Sequence, residues 1–209
     1  MILFRPVGLD EMRLVFESGL REFPPRLPTQ PFFYPVLTED YAVQVARDWN
    51  TREAAYAGYV TSFTLADGLA SRYPVQTVGA AVHQELWVPA QELSTFNAHI
   101  SPPIRVTHAF FGAGFEGLVP DRFMLAGRRA RQQFVLLETL AREYGMDFIS
   151  ELRANPAPVF LHYPFWGQAD FADAGIDPTR RDAVLASLAK IWSELYPGLP
   201  LPDPVDGAA

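Results

Sequence analysis

The chain has 209 residues, 49% hydrophobic and 20% charged, with 17 basic against 24 acidic side chains and a net charge of −7. That length and balance suit one domain, or one domain with a substantial appendage, and exclude a disordered, collagen-like or coiled-coil chain. The acidity argues against broad electrostatic binding to nucleic acid or anionic membrane, and the absence of cysteine excludes thiol catalysis, Cys-ligated zinc, iron–sulfur clusters and disulfides together. Met1-Ile2-Leu3-Phe4 is interrupted by Arg5 and Pro6, too short for a signal-peptide core. No run approaches the ~18 apolar residues of a membrane helix. A soluble cytoplasmic protein is expected.

Ile2 to Arg5 reads as a first strand, closed by Pro6 and Gly8. Leu9 to Ser18 carries apolar residues at helical spacing (Leu9, Met12, Val15, Phe16), with Gly19 placed to end it. Phe23 to Pro31 holds four prolines and predicts a stiff loop. Phe32-Phe33-Tyr34 is a short strand. Thr38 caps a helix through Asn50, with Tyr41, Val45 and Trp49 on one face. Gly58 to Leu65 alternates as a half-buried strand does, followed by strands over Pro74 to Val78 and His83 to Val88. Pro89 opens a short helix with Leu93 and Phe96 inward, and Pro103 to Phe111 is a last strand.

Gly112-Ala113-Gly114-Phe115-Glu116-Gly117 marks a junction. Helical spacing then runs from Arg122 to Tyr144 and again from Asp147 to Arg153. Pro156 to Phe171 is rich in proline and aromatics. Pro178 to Leu195 is a clear helix with Pro178 in its first turn, and Pro197 to Ala209 a proline-rich tail that frays at its end. The expected fold is α+β over residues 1–111, a linker over 112–120, and a helical extension over 121–209 packed on the first domain.

Gly112-x-Gly114-x-x-Gly117 matches a dinucleotide fingerprint formally, but Pro120 falls inside the helix that the phosphate mechanism requires. An interdomain linker is the better reading. Arg122, Arg128, Arg129 and Arg131 could touch phosphate; on a helix Arg128 and Arg131 share a face, and a solvated face accounts for them. The four histidines (His83, His99, His108, His162) lack paired metal spacing, and Asp170, Asp173 and Asp177 lack that of a calcium loop. No phosphate loop with its lysine and no nucleophile elbow is present.

His83-Gln84-Glu85-Leu86-Trp87 is more informative, because strand alternation puts His83, Glu85 and Trp87 on one face. A carboxylate fixed beside an aromatic wall can stabilise an oxocarbenium-like centre on a sugar; the plain alternative is a solvent-facing Glu on an edge strand. Arg5 in the first strand can grip a phosphate or brace a carboxylate, or be a structural ion pair. Tyr34 can stack on a planar ring or be a core residue. Arg26, in the proline loop, can reach the same anion as Arg5 or be a surface charge.

The order Arg5, Tyr34, Glu85 resembles that of ADP-ribosyltransferases. The chain looks closer still to a group of small bacterial proteins often labelled "ADP-ribosylation/crystallin J1". The shared strings include Phe4-Arg5-Pro6-Val7-Gly8, Phe23-Pro24-Pro25-Arg26-Leu27-Pro28 and Phe33-Tyr34-Pro35-Val36-Leu37. They continue with Ala46-Arg47-Asp48-Trp49-Asn50, Pro74-Val75-Gln76-Thr77-Val78-Gly79 and His83 to Ala90, so the resemblance covers residues 1–110.

The resemblance implies split small sheets and NAD bound as substrate in the cleft between them, with no metal. It places Arg5 on the dinucleotide's phosphate or ribose, Tyr34 on nicotinamide, and Glu85 on the nicotinamide ribose, where it stabilises the charge that develops as nicotinamide leaves. His83 lies two residues before Glu85, where relatives in the superfamily often carry the Glu or Gln that selects the acceptor, so acceptor chemistry (protein, nucleic acid or small molecule) does not carry over. The implied activity is mono-ADP-ribosyl transfer of a toxin or defence kind. The mixed Arg–Tyr–Glu set motivates the alternative, a binding module that has lost the chemistry. A third reading is an interaction protein working through Phe160 to Trp166.

Overall fold

Ile2–Gly8 alternates burial along its length and forms strand β1, after which Leu9–Glu17 turns into helix α1 with Asp10 and Glu11 in its first turn, the favourable end of the helix dipole for acids. The computed structural model describes residues 1–66 and 68–202. The expected fraying of the tail's end falls on 203–209, outside the described residues. The chain divides into two units, Met1–Gly112 and Ala113–Ala209.

In the first unit, β2 (Phe32–Phe33) is followed by α2 (Glu39–Asp48) and β3 (Ala57–Leu65). Next come β4 (Val75–Thr77), β5 (Gln84–Leu86), β6 (Val88–Pro89), α3 (Leu93–Asn97) and β7 (Ile100–Phe111). Three antiparallel sheets result: β1-β3-β7, β2-β6 and β4-β5. The fold is α+β. Instead of lying half-buried as its alternation predicts, β3 is buried on both faces from Ala57 to Thr61, because it is the central strand. One face, with Val60, packs on Tyr41, Ala42 and Ala46 of α2. The other carries Tyr59, Thr61 and Phe63 opposite Val7, Arg5 and Leu3. Pro102 and Pro103 sit in β7, an edge strand, where a missing N–H costs no ladder bond.

The second unit is helical: α4 (Ala130–Glu143), α5 (Gly145–Ala154), α6 (Pro156–Gln168) and α7 (Pro178–Leu195). Two expectations change here. The helix expected from Arg122 begins at Ala130, since Gly127 in the left-handed region breaks the run after a short turn at Phe123–Leu125. Arg128 therefore precedes the helix and does not share a helical face with Arg131. The proline- and aromatic-rich stretch, assigned no element from sequence, is α6. It is buried nearly all round, so it lacks the amphipathic period by which helices are recognised.

The stretch read as a linker contributes to this unit from Glu116 onward. The Glu116 carbonyl accepts from Ala130 N–H at 2.7 Å, and Leu118 N–H donates to His162 Nε2 at 2.8 Å. Gly117 has φ +76° and passes so close to the His162 ring that a Cβ there would lie 2.4 Å from Nε2. The third glycine of the formal fingerprint thus answers to backbone geometry. Among the described residues no helix is long and apolar enough to cross a membrane.

Candidate functional site

Segment 35–37 is the splice that assembles the first unit's pocket. Val36 exchanges backbone hydrogen bonds with Phe4 (2.8 and 3.0 Å), while on its other side Leu86 N–H donates to the Pro35 carbonyl at 2.9 Å and Leu37 N–H to that of Gln84 at 3.0 Å. β1 and β5, about eighty positions apart in the chain, are thereby held one strand apart. Phe4, Val36 and Glu85 stand opposite one another across this ladder, so their side chains share a face, and α2 packs over it.

A pocket of about 290 Å³ opens there. β1 lends it Arg5 and Pro6, the splice lends Tyr34 and Val36, and β5 lends Glu85. α2 and its C-cap supply Tyr41, Val45 and Trp49, spaced four apart along one helix face. Arg5, Tyr34 and Glu85, picked out from sequence, therefore border one pocket, although the Arg5 side chain leaves β1 on the face it shares with Thr61, away from α2. His83 and Arg26 are not among its lining residues.

Arg5 is committed to its own protein. Its side chain is 9% exposed; Nε and Nη2 donate to the two oxygens of Glu11 at 2.8 and 3.2 Å, and Nη1 to the Tyr34 carbonyl at 3.0 Å. The guanidinium also lies 4.6 Å from the centre of the Phe33 ring. Arg26 reaches the same carboxylate at 3.2 Å, while its buried Nε has no hydrogen-bond partner among the described residues. Burial opposes the Glu11 charge, but the two guanidiniums outweigh it and hold the carboxyl below its usual range. Burial and the neighbouring Arg5 also lower Arg26, below the usual arginine value. Arg5 thus braces a carboxylate of its own protein, and Arg26 shares it.

Glu85 is half-buried, and its Oε1 accepts from the Trp87 indole N–H at 2.7 Å. The alternation that predicted Glu85 and Trp87 on one face produces this bond. Trp87 also meets Tyr34 edge-on at 5.9 Å and Phe32 at 5.4 Å. His83 stacks on Tyr41 with ring centres 4.4 Å apart and pairs through Nε2 with Gln44 at 3.0 Å. Burial first, and then the Glu85 charge, hold the Tyr41 phenol above its ordinary pKa. Chemically, the site offers one carboxylate among aromatic walls, able to stabilise a positive centre.

Sequence reasoning missed two contributors. Glu11 passes for an ordinary helix N-terminal acid, and nothing in the spacing couples it to Arg5 and Arg26. Trp49 was placed on one helix face with Tyr41 and Val45 and given no role, yet the residue is 56% exposed at the pocket; an indole at a helix end beside Asn50 is the signal available. Among the described residues no cluster of three or more His, Cys, Asp or Glu is placed to hold a metal ion. The chain matches no protein-family model, no curated protein and no solved structure.

Proposed function

We propose that the first unit is an NAD-dependent mono-ADP-ribosyltransferase whose pocket takes the nicotinamide–ribose half of the dinucleotide. The observation that carries this reading is the meeting of Arg5, Tyr34 and Glu85 on one pocket, from three chain segments whose order resembles that of the superfamily. At about 290 Å³ the pocket sits at the lower end of the ~300–1,000 Å³ of small-molecule sites, room for a ring and a sugar while the remainder lies outside. Glu85 faces the ribose and offsets the charge that builds as the glycosidic bond lengthens. Tyr34 supplies an aromatic wall, and Arg5, held by Glu11, fixes the Tyr34 backbone.

Incubation of the protein with labelled NAD tests the reading. Wild type is expected to release nicotinamide and transfer label to an acceptor. Glu85→Gln, which keeps the shape and removes the charge, is expected to lower that rate by ~10²–10³. A wild-type protein that does neither overturns the transferase.

The engagement of all three Arg5 nitrogens by Glu11 and the Tyr34 carbonyl favours a second reading, a binding module without turnover. Calorimetry separates the two: NAD that binds and is not consumed supports the module.

A further inference from the structure

We infer that the pocket between β1, β5 and α2 selects an organic cation, a quaternary ammonium or a pyridinium, over the uncharged molecule of the same shape. Three aromatic side chains line it, Tyr34, Tyr41 and Trp49, one from the splice and two from α2. Among the described residues none of the three makes a ring contact with another, so the three are separate aromatic walls. The faces of such rings carry negative charge density, and several of them around a cavity form a cage for a positive group.

The carboxylate at the site works in the same direction. Glu85 is the carboxylate lining the pocket, and the partner it has among the described residues is a neutral indole N–H. A neutral occupant strips water from that carboxylate and returns at most a hydrogen bond, whereas a cation also compensates its charge. Arg5 is matched by Glu11, and the excess positive charge that Arg26 brings to that carboxylate lies outside the pocket's lining residues, so the preference rests on Glu85 and the aromatic walls. His83 covers part of the Tyr41 ring, with its Nε2 on Gln44. Trp49, largely exposed and without a hydrogen-bond partner for its indole among the described residues, is the wall an incoming ligand covers.

The selection does not depend on transfer chemistry, so it is tested without turnover, by calorimetry on the full chain with two pairs of probes. Choline is compared with its uncharged carbon isostere neohexyl alcohol, and N-methylnicotinamidium with its uncharged carbon isostere 3-methylbenzamide. The cation of at least one pair is expected to bind about tenfold tighter than its neutral twin. Preference within the first pair identifies an alkylammonium source, and preference within the second a planar aromatic one. Trp49→Ala, at an exposed position that leaves the core intact, is expected to lower cation affinity about tenfold, and Glu85→Gln to shrink the gap between twins. Equal binding within both pairs, or no binding by any probe, overturns the inference. A cation preference with no release of nicotinamide from NAD leaves this inference standing and removes the transferase.

Discussion

A single carboxylate shared by two buried guanidiniums is an unequal arrangement. Arg5 and Arg26 are each 9% exposed at the side chain, Glu11 21%, and the trio carries one positive charge more than it balances. Breaking a buried pair from one side leaves a charge that neither water nor protein compensates, at a cost of ~3–5 kcal/mol. Glu11→Gln is therefore expected to destabilise the first unit by about 3 kcal/mol, because it leaves two cations facing a neutral amide. Removing one cation by Arg26→Met is expected to cost less, since Arg5 and Glu11 remain matched. Urea midpoints of the two variants check the order, and a Glu11→Gln protein as stable as wild type removes the argument. The residues legible in the sequence, Arg5, Tyr34 and Glu85, were those whose type and order carry chemistry. Glu11 and Trp49 were not, because their importance lies in which neighbour folding gives them.

Elements were legible where one face meets water and the other meets the core. α1, α2 and α7 show that contrast, and their bounds fall within a residue or two of expectation. α6 does not, because a helix buried on all sides carries no period, and Pro156, Pro158 and Pro164 read as breakers although two of them occupy the first turn, where no intrahelical N–H bond is lost. Sequence also gives no sign of how closely two elements approach. Gly58 of β3 lies beneath α2, and a Cβ there would stand 2.1 Å from the Ala46 carbonyl oxygen. In an ordinary strand, Gly→Ala gains roughly 0.5–1 kcal/mol by restricting the unfolded chain. Gly58→Ala is expected to reverse that sign and to cost about 2 kcal/mol, as overpacking against backbone does. Because α2 carries Tyr41, Val45 and Trp49, its displacement is also expected to weaken probe binding at the pocket. A Gly58→Ala protein with a raised urea midpoint contradicts so tight an approach.

At the scale of the whole molecule, the two units respond to pH through different groups. In the second unit His162 is fully buried, with Nε2 accepting from Leu118 N–H and Nδ1 3.0 Å from Gln133 Oε1. Gln133 passes the network on, donating to the Leu118 and Arg128 carbonyls at 2.9 and 2.7 Å. With Nε2 as acceptor, the ring is neutral and carries its proton on Nδ1. Phe115 and Trp166 stand edge-on to it, and burial lowers its pKa from 6.5 to about 3. The folded unit thus refuses a proton that the unfolded chain accepts, so the stability this confers is complete above pH ~6.5 and drains away as pH falls toward the folded value. The slope is about 1.4 kcal/mol per pH unit. The first unit's Glu11 has its pKa lowered from an already acidic 4.5, so its contribution persists until the medium is more acidic still. Between pH 6.5 and 4.5 the second unit is therefore expected to lose about 2 kcal/mol while the first changes little. Buried Trp166 and Trp192 report the former by fluorescence, and half-exposed Trp49 and Trp87 the latter. His162→Gln, which can keep both hydrogen bonds without titrating, is expected to begin less stable at pH 7 and to flatten the decline. Urea midpoints of the buried-tryptophan signal that stay level in wild type across this range, or fall as steeply in His162→Gln, show that the buried imidazole is not the group responsible.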